Sequence, residues 1–556
     1  MDAKVDHRTD QELGGAPEGL DALTVAERLK ASGGTAVFVA RDYQRAGNFT
    51  QAFRFFAKDI DVVEFPAWDC LPYDRLSPTS SVSAERMAAL TQLAGRKAKG
   101  QPLLVVTTIA AAMQRTPPRE VTTSAGFDAV VGQDLDQSAL ETYFTTNGYM
   151  RASTVNERGE YAVRGGVIDV FPPGFDEPVR LDMFGSELES IRTFDPATQR
   201  STGQRKRVAL SPVSEALLDA ETISRFRTGY LGLFGAGGDD PLYVAVSEGA
   251  RRQGMEHWLP LLYPRLETLF DYLPDDAAVF LDNQVEPART ERWALAADAY
   301  EARREAAKTK GGAANRALPP DRLYLPAEDW NSALAGRSVR RLTPFDTAGE
   351  DAGGRLGRTF AAERAQDSVN LFEAVAKHAE ALKGEGRRVL FASWSEGSSE
   401  RLSIMLADHG LDHVVAVRDW DDVRAAPKDL YLRAILPVEH GFVTDEIAVI
   451  SETDMLGDRL ARPKRKRRAS NFLAEASALT TGDLVVHLDH GIGRYEGLKT
   501  LEIQQAPHDC LELLYAGDSK LYLPVENIDL LTRYGTDSDD VQLDRLGGAA
   551  WQGRKA

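Results

Sequence analysis

Apolar residues along this chain recur with two different periods, and the places where the period changes divide it. A helix-like stretch at Ala22–Lys30, a Gly33-Gly34 break and the apolar run Ala36–Ala40 open an α/β pattern. It continues through a second buried run, Leu103–Thr107, to about Glu120. From about 126 to 207 the pattern alternates. Tyr161–Arg164, Gly165-Gly166 and Val167–Phe171 predict a hairpin whose two glycines supply the positive φ of a tight turn. In Val179–Phe184 a period of two sends Val179, Leu181 and Met183 to one face and Arg180, Asp182 and Phe184 to the other. Helical and strand patterns mix again from 208 to 345 and from 346 to 456, where Arg388–Ala392 leads through Ser395–Glu400 into a helix ending near His409. Glu446–Glu452 is a later buried strand. Near the C-terminus, Leu484–His487, Leu498–Ile503, Leu511–Tyr515 and Lys520–Leu523 are short strands between Gly, Asp and Pro turns, which predicts a compact all-β barrel. An edge strand such as Leu498–Ile503 can add to a partner's sheet through main-chain hydrogen bonds.

The chain's 556 residues give room for about three to five domains of ordinary size. Its 43% hydrophobic and 27% charged content is that of soluble globular protein, and no apolar run nears the roughly 18 residues that span a bilayer. The N-terminus lacks the apolar core of a signal peptide, and Cys70 and Cys510 lie far apart, so a reducing cytoplasm and no membrane partner are expected. The net charge of −18 argues against a surface that tracks phosphate backbones and points to protein partners. One exception is Arg462–Arg468, six cations in seven residues; Lys464, Arg465, Lys466, Arg467 and Arg468 read first as a solvated linker and second as a DNA contact.

Candidate chemistry is sparse. Gly-x-x-x-x-Gly-Lys-[Ser/Thr] occurs nowhere, so no loop here has the glycine amides, lysine and hydroxyl that cradle nucleotide phosphates and magnesium. Glu446–Glu452 ends in acid at Glu452 and Asp454, the shape of a magnesium motif, but without a phosphate loop it reads as ordinary α/β structure. His257 and Trp258 read as packing residues. His487 and His490 would face opposite sides of a strand, which argues against a metal pair. The exposed Arg180 and Phe184 combine a planar donor fork with a rigid apolar surface, the composition of an interface hot spot; the alternative is a phenylalanine covered by a neighbouring domain.

Val485–Tyr495, followed by Asp518–Val525, resembles the RNA-polymerase-interacting domain of the bacterial transcription-repair coupling factors, which is related to the CarD-type regulators. The resemblance implies a grip on the polymerase β subunit by strand addition near Lys499, Leu501 and Ile503. Phe65–Asp74, with Thr107-Thr108 and Gln114-Arg115, resembles the first domain of the same family, itself related to the repair helicase UvrB. There a phosphate loop precedes the first helix; the corresponding Gly14–Ala22 lacks the Gly-Lys-Thr. Arg158–Tyr161 through Arg192–Asp195 resembles the UvrA-binding domain that UvrB and the coupling factors share, which implies UvrA contacts at Arg164, Arg180 and Phe184. Gln253–Pro260 resembles a stretch where the family's chain rejoins its first domain.

The resemblance runs the length of the chain and implies a multidomain α/β and all-β protein. Residues 1–125 and 208–345 would form a UvrB-like, degenerate P-loop-type α/β domain around a β-rich UvrA-binding insertion at 126–207. A second α/β domain at 346–456, a basic linker at 457–478 and a small SH3/Tudor-like, CarD-like β-barrel at 479–546 would follow, with 547–556 opening a linker. In the family two motor domains come next, so the chain corresponds to an N-terminal half. ATP, magnesium and most contact with double-stranded DNA are expected there, and no cofactor in this chain. The function implied is an adaptor between stalled RNA polymerase and UvrA. A UvrB-like ATP-dependent damage-recognition subunit and a CarD-like transcription regulator are the alternatives, and whether the chain is catalytic stays open.

Overall fold

The computed structural model describes residues 10–96, 101–309, 312–366, 368–457, 481–487, 490–503, 506–517, 519–524, 531–535 and 543–544. They fall into two units, Met1–Arg462 and Pro463–Ala556.

The first unit is built on a seven-stranded, all-parallel sheet. From edge to edge its strands are Glu350–Asp351, Asp10–Gly14, Val339–Leu342, Ala278–Leu281, Thr35–Ala40, Leu103–Thr108 and Asp61–Phe65. Thr35–Ala40 and Leu103–Thr108 are buried at every position, as expected of central strands covered by helices on both faces. The helix Leu20–Ser32 stops where Gly33 takes a left-handed conformation at φ +69°, and Tyr43–Phe56 starts where Asp42 accepts a hydrogen bond from the Arg45 N–H.

Between the fourth and fifth of these strands in chain order, the chain builds a separate six-stranded sheet. Its order is Ser201–Arg205, Glu187–Phe194, Val179–Phe184, Val167–Val170, Glu160–Arg164 and Met150–Arg151. The chain leaves and returns by adjacent strands, since Phe127–Val130 pairs antiparallel with Arg207–Leu210. The buried Arg86, paired with Glu215 at 2.8 Å and lying over the Phe65 ring at 4.2 Å, anchors the return segment to the parent helix Ser80–Gly95. Of the two hairpin glycines only Gly165 has positive φ, +61°. Gly166 is required by space instead: a Cβ there would lie 2.8 Å from the Met183 carbonyl oxygen.

A third sheet, order Arg355–Leu356, Phe442–Val443, Ile447–Ser451, Arg388–Ser393, Tyr431–Ile435 and Val414–Ala416, is parallel among its last four strands. One face of this sheet has a core of its own, around Val389, Phe391 and Ile450. The other face does not. Leu390, Leu432 and Val449 share one continuous core with Phe38, Phe49, Phe53 and Leu104 of the first domain. No helix of the described residues is long and apolar enough to cross a membrane.

The second unit contains a five-stranded antiparallel sheet ordered Ser519–Pro524, Ala506–Tyr515, Gly491–Ile503, Leu484–His487 and Leu531–Gly535. Among the described residues its two outer strands are not paired with each other. Leu498–Ile503 is the distal half of a longer strand, and Val485, Tyr495, Leu511, Leu513, Tyr515 and Leu523 fill the core beneath.

Candidate functional site

The inserted sheet carries a charged ladder on one face. In Val179–Phe184 the side chains of Val179 and Leu181 are buried, whereas Phe184 is 77% exposed. Arg180 lies directly across from Asp169 on one neighbouring strand and from Arg192 on the other. It donates to both Asp169 oxygens, Nε to Oδ1 at 2.6 Å and Nη2 to Oδ2 at 2.9 Å, while its guanidinium covers the Phe194 ring at 4.8 Å. Arg164 Nη2 donates to the Ser153 carbonyl at 3.2 Å and lies 3.7 Å from Asp169 Oδ2. Arg192 clasps Asp182 through two bonds of 2.9 and 2.8 Å, and Ser190 adds a third of 2.5 Å. Burial opposes ionisation of Asp182, but these donors outweigh it and hold its carboxyl below the usual carboxylate range.

Arg164, Arg180 and Phe184 are therefore brought onto one sheet face. Arg180 has a side-chain exposure of 17%, against 50% for Arg164. Asp169, Asp182 and Arg192 complete the ladder and were not singled out from the sequence, because cross-strand register is invisible until strands are paired.

In the second unit, Lys499, Leu501 and Ile503 pair with Cys510, His508 and Ala506. The proximal half of their strand is bonded on both sides, out to Tyr495, whose N–H donates to Asp483. From Gly497 to Ile503 only one side is paired among the described residues, leaving the other main-chain edge open. Lys499 Nζ lies 3.8 Å from Glu512 and 5.6 Å from the Tyr522 ring centroid, and Lys520 donates to Glu512 at 2.7 Å. Leu498 is 48% exposed. Lys464, Arg465, Lys466, Arg467 and Arg468 lie outside the described residues. His487 and His490, expected on opposite sides, are brought together with ring centroids 4.5 Å apart, because the strand ends at His487 and alternation ends with it. No group of three or more potential metal ligands occurs among the described residues.

The loop after the first strand leads into the N-terminus of Leu20–Ser32 and is filled from within. At the N-terminus of Leu20–Ser32, Asp21 Oδ1 accepts from the Gly19 and Ala22 N–H groups at 2.9 and 2.7 Å, the amides a bound anion would use. Arg45, fully buried, pairs with Asp21 and reaches Asp282 at 3.1 Å. Burial pushes the Asp21 carboxyl up to about 6 against the pull of Arg45. Gly19, at φ +97°, is itself overlain by the third sheet: a Cβ there would meet Val438 at 2.7 Å and Phe442 at 3.2 Å. The acids at the end of Ile447–Ser451 are likewise engaged. Glu452 accepts from the Trp394 N–H at 3.2 Å, and Asp454 from His440 Nδ1 at 2.9 Å and the Gly441 N–H at 2.6 Å. His257 is buried between Trp68 and Tyr73, and burial, then Arg303 and Arg292, lower it to about 3, so its ring is neutral packing.

The fold is that of a multidomain protein with α/β sheets and an inserted β-sheet in its first unit and an antiparallel sheet in its second. Residues 127–215 match the UvrB interaction domain, 382–455 the MFD, D3 domain, and 479–535 the CarD-like/TRCF RID domain. The transcription-repair-coupling factor of Escherichia coli K12 is 32% identical over 549 residues, covering 95% of this chain and 46% of that protein. Those of Haemophilus influenzae and Rickettsia bellii are 31% and 30% identical, covering 97% and 96% of this chain and 46% of each relative. The chain belongs to the transcription-repair-coupling factor family and spans a little under half the length of these relatives.

Proposed function

We propose that this chain is an adaptor of transcription-coupled nucleotide excision repair, holding stalled RNA polymerase with one sheet and recruiting UvrA with another. The observation that carries this reading is the inserted sheet's face, where a 77% exposed Phe184 stands beside cations held in place by Asp169 and Asp182, inside the stretch matching the UvrB interaction domain. UvrA docks there through Arg164, Arg180 and Phe184. The polymerase β subunit adds a strand along the open edge at Lys499, Leu501 and Ile503 of an SH3-like barrel. Double-stranded DNA meets the cations of 464–468 weakly at most, given the net charge of −18. The loop at Gly14–Ala22 belongs to a P-loop-type domain that takes no nucleotide, since Asp21 uses the helix amides, Val438 and Phe442 cover Gly19, and the motif lysine is missing.

Co-elution tests the two contacts separately. Phe184→Ala should lose UvrA and keep RNA polymerase; Leu498→Asp, which sets a carboxylate beside the open edge, should weaken polymerase and keep UvrA. Retention of UvrA by Phe184→Ala, or loss of both partners with either change, would refute the division of labour.

A further inference from the structure

Asp169 is a carboxylate with 1% of its surface exposed, yet it sits on the outward, charged face of the inserted sheet. Its acceptors serve the two arginines assigned above to the partner: Arg180 takes both oxygens, and Arg164 approaches one of them. A buried acid at a purely structural ion pair needs only one cation. Here the second cation comes from the far side of the Gly165-Gly166 hairpin and is half exposed, so the carboxylate couples the hairpin to the strand that carries Phe184.

Free arginine side chains carry large rotamer entropy, which an interface must otherwise remove at the moment of binding. With Nε and Nη2 engaged by Asp169 and its plane laid on Phe194, Arg180 is already ordered, and its remaining N–H donors point where the sheet presents them. Asp182 does the same for Arg192 on the neighbouring strand, so three cations share one sheet face with Phe184.

We propose that Asp169 is the positioning residue of this docking face: it pre-orders Arg164 and Arg180 for carboxylates on a partner that also offers an apolar recess to Phe184. The proposal rests on the UvrA reading, and its partner chemistry is an acidic surface with one apolar pocket. The hydrogen bonds and ion pairs of the Asp169 carboxylate go to these two arginines, and it acts through them.

The test is a titration of UvrA against the full chain and its variants. Asp169→Asn keeps the shape and removes the charge; it should weaken UvrA binding about tenfold, within the range measured for coupled pairs. In the Arg164→Ala/Arg180→Ala background the same change should have no further effect on binding and should raise the melting temperature, because the aspartate it removes is there buried without a cation. Combined with Phe184→Ala the losses should add. An equal loss in the presence and absence of the arginines would mean that Asp169 acts through the fold, and would overturn the proposal. Should Asp169→Asn alone fail to fold, Asp169→Asn/Arg180→Gln removes both charges together. Arg164→Ala in that background should cost far less affinity than in the natural chain, and an undiminished cost would also overturn it. If Phe184→Ala leaves UvrA binding intact, the UvrA reading itself fails; if Phe184→Ala weakens it and Asp169→Asn does not, only the positioning role fails.

Discussion

The inserted sheet and the loop after the first strand both pair arginine with aspartate, and they use the pair in opposite ways. On the sheet, Asp169 is buried beneath arginines that still reach solvent, so the cations stay available to a partner. At the loop, Arg45, Asp21 and Asp282 are all buried, and the helix amides that could hold an external anion are spent on Asp21. Nearly the same chemistry gives the proposed docking face in one place and a sealed site in the other. The difference lies in what covers the pair: open sheet face in the first case, and Phe442 of the third sheet with Val438 of the segment leading into it over Gly19 in the second.

The largest expected effect comes from breaking the sealed pair. Arg45→Met leaves two buried carboxylates without their shared cation and should cost about 3–5 kcal/mol in urea unfolding. UvrA binding measured well below the transition should not change, since the docking face is elsewhere; a lost affinity with intact stability would erase the distinction. Next is Phe184→Ala, which should cost about 2 kcal/mol of UvrA affinity, as hot-spot truncations do, with stability within about 0.5 kcal/mol.

A pH-dependent effect should mark the loop. The Asp21 carboxyl is raised in the fold from 3.8 to about 6, so its protonated form favours folding. That contribution is present below about pH 4 and is lost as pH rises through 6. The stability of the natural chain minus that of Asp21→Asn should therefore fall across that window; a rising difference would contradict a buried, desolvated acid. The smallest effect is expected at Arg207, whose bond to Asp128 joins two exposed side chains. Arg207→Ala should change neither unfolding nor UvrA binding measurably, and a clear loss of UvrA would extend the docking face to the strand that closes the insertion.

Much of the inserted sheet was legible because its alternation is regular: Val179 and Leu181 go inward, and Arg180, Asp182 and Phe184 are on the other face. The hairpin was legible too, though not the separate reasons for its two glycines, since the crowding at Gly166 comes from Met183 on a neighbouring strand. His487 and His490 misled for the opposite reason: alternation holds only within a strand, and theirs ends at His487.

By itself the sequence determined the local periods, the lack of a phosphate-binding lysine and the motif strings that tie the chain to its family, because each is a property of neighbouring residues. Only the tertiary structure decided that Asp169 serves two arginines, that Arg45 and Asp282 meet Asp21, and that the first and third sheets share one core. Some of those contacts join residues far apart along the chain, and the others cross neighbouring strands. Their energies depend on burial and register, which exist only once the strands have paired and the sheets have packed.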